Sequence, residues 1–233
     1  MSQRSRTAPR LPTIVRALLH GEAAPDPAGG PLPPVILLHG FGTSSAVTAP
    51  LARYLRRELG RPVVRVPLGG RLPLHLGDVR KSAERVRREI ERRAAESGFP
   101  YVDVVGHSLG GLVATYLLKA LDGGQRVRRV VTLGTPHRGT PAALLGALLL
   151  GSFSRAIWQM IPGSPLLREL ARLPVPPSSE IVAVASDADG LVPGPFARPR
   201  RMPRLRCAAL SGLGHIELLT SPLSFRLVQA MLG

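Results

Sequence analysis

The chain has 233 residues, 44% of them hydrophobic and 20% charged, which suits a globular domain with a sizeable core and excludes wholesale disorder. Its single cysteine, Cys207, excludes an intramolecular disulfide framework and a cysteine-cluster zinc site. The 31 Lys and Arg against 15 Asp and Glu give a formal net charge of +16, which raises nucleic acid or an anionic membrane as partners. All but two of these cations are arginine, and a compositional bias would explain the excess equally well, so charge alone assigns no function.

The N-terminal residues 1–33 are rich in proline and arginine and predict a basic arm ahead of one domain at residues 34–233. The apolar patch Ile14–Leu19 is interrupted by an arginine and is too short for the core of a secretory signal peptide. The longest uncharged stretch, between Arg138 and Arg155, falls short of the roughly 20 apolar residues that span a bilayer. We therefore expect a cytoplasmic protein without a membrane-spanning segment.

Beyond the arm, short apolar runs alternate with helix-prone segments, the pattern of a parallel sheet covered on both faces. The strand candidates are Val35–Leu38, Val63–Val66, Val102–Val105, Val127–Leu133, Ile181–Ala185 and Leu205–Leu210. The helix candidates are Thr48–Leu59, Asp78–Ser97, Leu109–Leu121, Pro141–Leu150, Pro165–Leu173 and Ser221–Met231. In the second of these helices an apolar stripe faces Glu–Arg pairs spaced four residues apart, which indicates a solvated outer face in preference to a nucleic-acid-binding surface.

The segment Gly106–Gly111 reads Gly-His-Ser-Leu-Gly-Gly and joins a strand candidate to a helix candidate. A Gly-x-Ser-x-Gly in this context predicts a nucleophile elbow, in which Ser108 stands on a strained turn and its hydroxyl projects clear of the sheet. Gly106 and Gly110 would let the strand and the helix approach closely. The alternative is a glycine-rich turn with an incidental serine, which the strand–turn–helix context disfavours.

A serine nucleophile needs a histidine base and an acid that orients the histidine. With the chain order serine, acid, histidine, the candidates for the base are His137 and His215. We favour His215, because it lies in a glycine-rich loop between the last strand and the last helix. Asp187 and Asp189 both follow the strand candidate at 181–185, and spacing alone does not separate them.

Acyl transfer creates an oxyanion that needs two preorganised N–H donors. The backbone of Leu109, directly after the nucleophile, is expected to supply one donor. The loop His39–Gly42, directly after the first core strand, is expected to supply the other, with Phe41 as the best-placed residue. We interpret His39 itself as a structural loop residue.

These motifs, together with Gly-Thr-Pro-His at residues 134–137 and Asp-Gly-Leu-Val-Pro at residues 189–193, resemble the bacterial lipases and esterases of the α/β-hydrolase superfamily. The resemblance covers nearly all of the chain beyond the arm. It implies an α/β-hydrolase fold, a mostly parallel six-stranded sheet with helices on both faces. It also favours Asp189 over Asp187 as the acid and assigns His137 to a structural loop near the site.

The segment 141–173 is longer than a minimal connection and rich in apolar residues. It predicts a small helical cap or lid over an acyl-binding groove, with Leu148, Phe153 and Trp158 as substrate-binding residues. The alternative is an amphipathic helix that closes the core. Cys207, in the last strand, is expected to be a buried apolar residue.

The resemblance thus implies hydrolysis of carboxylic, lipid-type esters by Ser108, His215 and Asp189 through an acyl-enzyme intermediate, with no metal or organic cofactor. The expected partners are small-molecule ester or lipid substrates and not nucleic acid. An arginine cluster within 198–206 suggests peripheral contact with an anionic membrane surface, the alternative being plain solvated arginines. A thioesterase or acyltransferase would use the same three residues, and a non-catalytic basic binding protein on a hydrolase scaffold is the remaining alternative.

Overall fold

The computed structural model describes residues 33–69, 77–122, 124–150 and 154–233. In this part of the chain six strands form one sheet in the order β2-β1-β3-β4-β5-β6, and every neighbouring pair is parallel. The strands are β1 (Val35–Leu38), β2 (Val63–Val66), β3 (Val102–His107), β4 (Val127–Leu133), β5 (Glu180–Ser186) and β6 (Leu205–Leu210). The predicted parallel six-stranded sheet is confirmed, with β3 and β5 two residues longer than expected.

The helices that the sequence predicts are all present, with small shifts at their ends. They are α1 (Ala49–Leu59, after a 3-10 turn at Ser45–Thr48), α2 (Val79–Ser97), α3 (Leu109–Tyr116, which continues as a π-helix at Leu117–Asp122), α4 (Pro141–Leu150), α6 (Pro165–Arg172) and α9 (Pro222–Leu232). The structure adds α5 (Arg155–Met160), α7 (Gly194–Ala197) and α8 (Glu217–Thr220). These three are too short to produce a recognisable hydrophobic period.

The sheet is covered on both faces, as its apolar strands predict. All four residues of β1 are buried. Ile36 and Leu38 belong to a hydrophobic cluster with α2, α3 and α6, whereas Val35 and Leu37 belong to a second cluster with α1 and α9. Because alternate residues of a strand point to opposite faces, the two clusters lie on opposite sides of the sheet.

Helix α2 has the apolar stripe that its sequence predicts. The Asp78 carboxylate caps its first turn by accepting the N–H groups of Arg80 and Lys81, and Gly98 ends the helix with φ +70°. Its buried apolar residues are Val79, Ala83, Val86, Ile90 and Ala94. The outer face carries ion pairs such as Arg93–Glu89 at 2.6 Å and Arg87–Glu91 at 2.6 Å, so much of the arginine on this helix is solvated and paired.

The segment 141–173 contains three helices with different surroundings. Helix α6 packs Leu166, Leu167 and Leu170 into the core. This agrees with the alternative interpretation of the segment, an amphipathic helix that closes the core. Helix α4 instead exposes apolar side chains, with Leu145 62% and Leu148 82% accessible to solvent. The segment therefore closes the core at its C-terminal end and presents an apolar surface at its N-terminal end.

Three further expectations concern the edges of the molecule. The predicted basic arm, residues 1–33, lies outside the described residues except for Pro33. Cys207 is half-buried, so the expectation of a buried side chain is wrong, because it lies on the edge strand β6, which has a neighbouring strand on one side only. None of the helices that the structure describes is long and apolar enough to cross a bilayer.

Candidate active site

Ser108 forms a sharp turn between β3, which ends at His107, and α3, which begins at Leu109. Its backbone has φ +53° and ψ −123°, a conformation that is strained for a residue with a Cβ. A Cβ added to Gly106 would lie 2.5 Å from the carbonyl oxygen of Gly110, and one added to Gly110 would lie 2.5 Å from that of His39. The strand and helix therefore approach as closely as the predicted elbow requires.

The Nδ1 atom of His215 lies 2.8 Å from Oδ2 of Asp189 and donates a hydrogen bond to it. The other carboxylate oxygen accepts the N–H groups of Leu191 at 3.0 Å and Val192 at 2.8 Å. Burial works against the charge on Asp189, but the hydrogen bonds from His215 and Val192 outweigh it and lower the pKa of the carboxyl. The histidine is thereby held with Nδ1–H towards a carboxylate, which leaves Nε2 as its basic nitrogen.

Asp187, the competing candidate, has different surroundings. It is exposed, and its carboxylate accepts the N–H of Gly212 at 2.8 Å in a surface turn. Of the two carboxylates, Asp189 is the one that contacts His215.

Ser108 and His215 both line a cavity of about 230 Å³, which we call the ester cavity. The Ser108 hydroxyl makes no hydrogen bond with any residue that the structure describes, His215 included. Hydrogen bonds between catalytic groups are often long in an unliganded site and tighten when substrate is bound. The two side chains thus line one cavity.

Two backbone N–H groups are available beside Ser108. The N–H of Leu109 is the first in α3, and the first N–H groups of a helix have no carbonyl acceptor within that helix. That of Phe41, a residue of the cavity wall, donates to no group in the described part of the chain. Both donors predicted for an oxyanion are therefore unoccupied, and the helix that begins at Leu109 adds the positive end of its dipole.

Two neighbours of the pair Asp189–His215 were not identified from the sequence. The Nε2–H of His107 donates to the backbone carbonyl of His215 at 2.9 Å, and the two rings lie 4.7 Å apart. Burial, helped by the charge of His215, lowers the pKa of His107 to about 4, so it stays neutral. A Cβ added to Gly134 would lie 2.9 Å from Oδ2 of Asp189 and 3.3 Å from Nδ1 of His215.

Two further histidines among the described residues, His39 and His137, have structural surroundings. Nε2 of His39 accepts the N–H of Leu68 at 3.0 Å, which agrees with its interpretation as a loop residue. Nε2 of His137 lies 2.9 Å from the hydroxyl of Thr132, and His137 does not line the ester cavity. Among the residues described, no three His, Cys, Asp or Glu side chains are grouped as a metal site would require.

The predicted acyl-binding residues that the structure describes are not among the lining residues of the ester cavity. Leu148 and Trp158 are exposed and do not line the ester cavity, and Phe153 lies outside the described residues. Much of the apolar part of the wall is formed by residues of α4, α5 and the segment before α7. These are Ala142, Ala143, Gly146, Ile157, Met160, Leu191 and Val192.

The sheet order, the turn at Ser108 and the pair of His215 with Asp189 define the chain as an α/β hydrolase by fold. A mature lipase of Bacillus licheniformis is similar to it with a TM-score of 0.70 at 19% identity, over 89% of this chain and 96% of the lipase. A monoacylglycerol lipase of Paleococcus ferrophilus is similar with a TM-score of 0.62 at 18% identity, over 87% of this chain and 96% of that one. These two likenesses concern the fold.

The model of the family described as palmitoyl protein thioesterase matches residues 34–159, more than half of the chain, and the chain belongs to this family. The resemblance to the α/β-hydrolase superfamily is thereby confirmed. The pimeloyl-(acyl-carrier protein) methyl ester esterase of Vibrio campbellii is 31% identical over 153 residues, which cover 59% of this chain and 56% of that protein. The chain thus spans little more than half the length of the curated relatives that it matches.

Proposed function

We propose that this protein is a serine hydrolase that cleaves carboxylic, lipid-type esters through Ser108, His215 and Asp189. The observation that carries the proposal is the meeting of two features in one cavity. These are a serine on a strained strand-to-helix turn and a histidine whose Nδ1–H is bound to a buried carboxylate. The family membership and the names of the relatives, which include esterases and lipases, support the same reaction class.

In the first half of the reaction, Nε2 of His215 takes the proton of the Ser108 hydroxyl while Oγ attacks the ester carbonyl. Asp189 orients the imidazole and stabilises its charged form, and its lowered pKa keeps the carboxylate ionised for that purpose. The N–H groups of Phe41 and Leu109 hold the oxyanion that forms. His215 then gives its proton to the departing alcohol, which leaves an acyl group on Ser108.

In the second half, His215 takes a proton from a water molecule whose oxygen attacks the acyl-enzyme carbonyl. Collapse of the second oxyanion releases the carboxylic acid and returns the proton to Ser108. The acyl chain lies along the wall formed by Ala143, Gly146 and Ile157 in both halves. The volume of the ester cavity, about 230 Å³, suits a short or medium acyl chain better than a complete lipid.

The test is hydrolysis of p-nitrophenyl esters by the Ser108→Ala variant. We expect kcat to fall by about a thousandfold or more, because loss of the nucleophile leaves only binding and the oxyanion donors. Ser178→Ala removes an exposed serine that bonds the carbonyl of Gly124 and serves as the matched control. Wild-type turnover by a folded Ser108→Ala variant, or no labelling of Ser108 by an organophosphonate, would contradict the proposal.

A thioester is the second candidate substrate, and the family description is the observation that favours it. The same three residues could cleave either an ester or a thioester. A thiolate leaves more readily than an alkoxide, so a thioester needs less protonation of its leaving group by His215. Matched oxygen esters and thioesters of one acyl group should therefore be compared at equal concentration. A kcat/KM at least about tenfold higher for the thioester would assign the protein to thioester hydrolysis.

A further inference from the structure

A second cavity, of about 440 Å³, lies apart from the ester cavity and shares no lining residue with it. Its walls come from the π-helical end of α3, from α6, from the loop after β4 and from the connection between α7 and β6. We call it the cationic cavity, because Lys119, Arg138, Arg168, Arg172 and Arg200 all line it. A volume of this size suits a small organic molecule and exceeds what an inorganic ion needs.

The charges of this cavity are uncompensated. No Asp or Glu lines it in the described part of the chain, and none of its five cations is within ion-pair distance of a described carboxylate. Several arginines elsewhere are paired, for example Arg80 with Glu169 at 2.5 Å and Arg129 with Glu180 at 2.5 Å. Five cations around one concavity repel each other, and an anion bound among them would remove that repulsion.

Lys119 is the most constrained of these cations. It is only 9% exposed, and its Nζ donates to the carbonyl of Leu170 at 2.6 Å and lies 3.4 Å from the sulfur of Met202, both neutral groups. Burial lowers its pKa to about 8. It lies in the π-helix Leu117–Asp122, and π-helical turns within α-helices are frequently found at functional sites.

The cavity is not uniformly polar. Leu167, Leu170, Ala171, Met202 and Leu205 form an apolar wall beside the cations. An occupant that used the whole cavity would therefore carry a strongly anionic group and an apolar group. Guanidinium groups bind phosphate oxygens in a bidentate manner, so a dianionic phosphate uses several arginines more fully than a single carboxylate does.

We propose that the cationic cavity binds a phosphate monoester that carries a short apolar group. The phosphate lies among Lys119, Arg138 and the arginines of α6, and the apolar group contacts Leu170 and Met202. This site goes beyond the proposed hydrolysis and does not depend on it. The ester could be a free metabolite or the headgroup of a lipid, since the recognised chemistry is the same.

Calorimetric titration of the full chain with hexyl phosphate, inorganic phosphate and hexanoate tests the proposal. We expect hexyl phosphate to bind at least about tenfold more tightly than the other two, since only it offers both the dianion and the apolar group. Binding should weaken with added salt. Binding at pH 8 should also take up protons, because an anion beside Lys119 favours its charged form, and this is measured by comparing buffers with different ionisation enthalpies.

Variants locate the site. Lys119→Met and Arg138→Gln should each weaken binding of hexyl phosphate by about tenfold or more, and Lys119→Met should abolish the proton uptake. Because Lys119→Met also removes the hydrogen bond to the carbonyl of Leu170, a thermal midpoint is measured to confirm that the variant is folded. Arg57→Gln, which removes a cation from an exposed part of α1, should bind like wild type.

Vesicles that contain phosphatidic acid distinguish the two sources of the ligand. Binding of vesicles but not of hexyl phosphate, lost in Lys119→Met, would assign the site to a lipid headgroup. Absence of both would overturn the proposal. So would hexyl phosphate binding that disappears when Ser108 is blocked by a phosphonate and survives Lys119→Met, because the ligand would then occupy the ester cavity.

Discussion

The absence of a side chain at Gly134 leaves room for the side chains of Asp189 and His215. Its φ is +54°, and a Cβ there would meet Oδ2 of Asp189 at 2.9 Å. In Gly134→Ala we expect the carboxylate and His215 to be displaced and kcat/KM for p-nitrophenyl esters to fall by about tenfold to a hundredfold. Thermal unfolding measured beside the kinetics separates displacement of the site from loss of the fold.

The matched control for Gly134→Ala is Gly98→Ala. Gly98 also has positive φ, at +70°, but a Cβ there would have nothing within 4 Å. The control should therefore lose stability through backbone strain, by about 1 kcal/mol, and keep its kcat/KM. Equal loss of activity in both variants would mean that strain alone accounts for the effect and that contact with Asp189 does not matter.

At the residue scale, some residues of the candidate site could be predicted from the sequence and others could not. Ser108 and His215 could be predicted because each stands in a glycine-rich motif at a recognisable place between a strand and a helix. Asp187 and Asp189 follow the same strand, so their spacing does not separate them and only the resemblance favoured Asp189. In the structure Asp189 contacts His215, whereas Asp187 bonds a surface turn. His107 occupies the variable position of its motif, so nothing in the sequence indicates its hydrogen bond to His215.

At the scale of elements, the strands were predictable because each is a short, mostly apolar run, and β1, β3, β4 and β5 are buried along nearly their whole length. Helix α2 was predictable because its apolar residues recur on one side only. Helix α4 has no such asymmetry, since it reads Pro-Ala-Ala-Leu-Leu-Gly-Ala-Leu-Leu-Leu and is apolar all round. Its sequence could not say which face meets the cavity, which is why Leu148 was expected in the wall and lies at the surface instead.

The inner face of α4 should determine acyl-chain length. Gly146 lines the ester cavity, and a Cβ there would lie 3.6 Å from Ile157, so a small side chain fits and a larger one occupies cavity space. We expect Gly146→Leu to shift the preference towards shorter acyl chains, measured as kcat/KM over a series from two-carbon to long-chain p-nitrophenyl esters. A roughly uniform change across the series would show that this wall does not contact the acyl chain.

Leu145→Ala is the control for that experiment. Leu145 is on the same helix, is 62% exposed and does not line the ester cavity. Its replacement should leave the chain-length profile as it is in the wild type. A shift in this variant as large as that of Gly146→Leu would instead favour a mobile lid, in which the outer face of α4 meets substrate.

For the whole molecule, part of the arginine excess is structural. Arg61 and Arg128 both bind the buried carboxylate of Asp103 on β3, at 2.5 and 2.9 Å, and Arg61 also donates to the carbonyls of Pro33 and Leu232. Arg129 is likewise buried against Glu180. These guanidinium groups tie Pro33, just before β1, and the helix α9 to the sheet, and they reduce the share of the +16 charge that is free to meet a partner.

Buried neutral histidines should make the fold sensitive to acid. Burial lowers the pKa of His107 to about 4, from an ordinary value near 6.5. Between these two values the unfolded chain binds a proton that the folded chain does not, so the free energy of unfolding falls as the pH falls, by up to about 3 kcal/mol for His107. His137, with its pKa lowered to about 3 by burial, acts in the same direction.

The measurement is the thermal midpoint between pH 7 and pH 4.5 for wild type and His107→Gln. Glutamine can still donate to the carbonyl of His215 but does not titrate, so the variant should lose less stability over this range. Asp189 does not confuse the comparison, because its lowered pKa places its contribution below the range tested. An identical slope in the two proteins would mean that His107 is not the group responsible.

The parallel sheet also orders the events of folding. Neighbouring parallel strands need a crossover between them, so every strand pair closes a long loop, and such non-local pairing is slow. Asp189 follows β5 and His215 follows β6, the last two strands in the chain and the two that form one edge of the sheet. After dilution from denaturant, ester hydrolysis should therefore recover later than the far-ultraviolet circular dichroism signal. The rate at which turnover recovers would then report the pairing of β5 and β6.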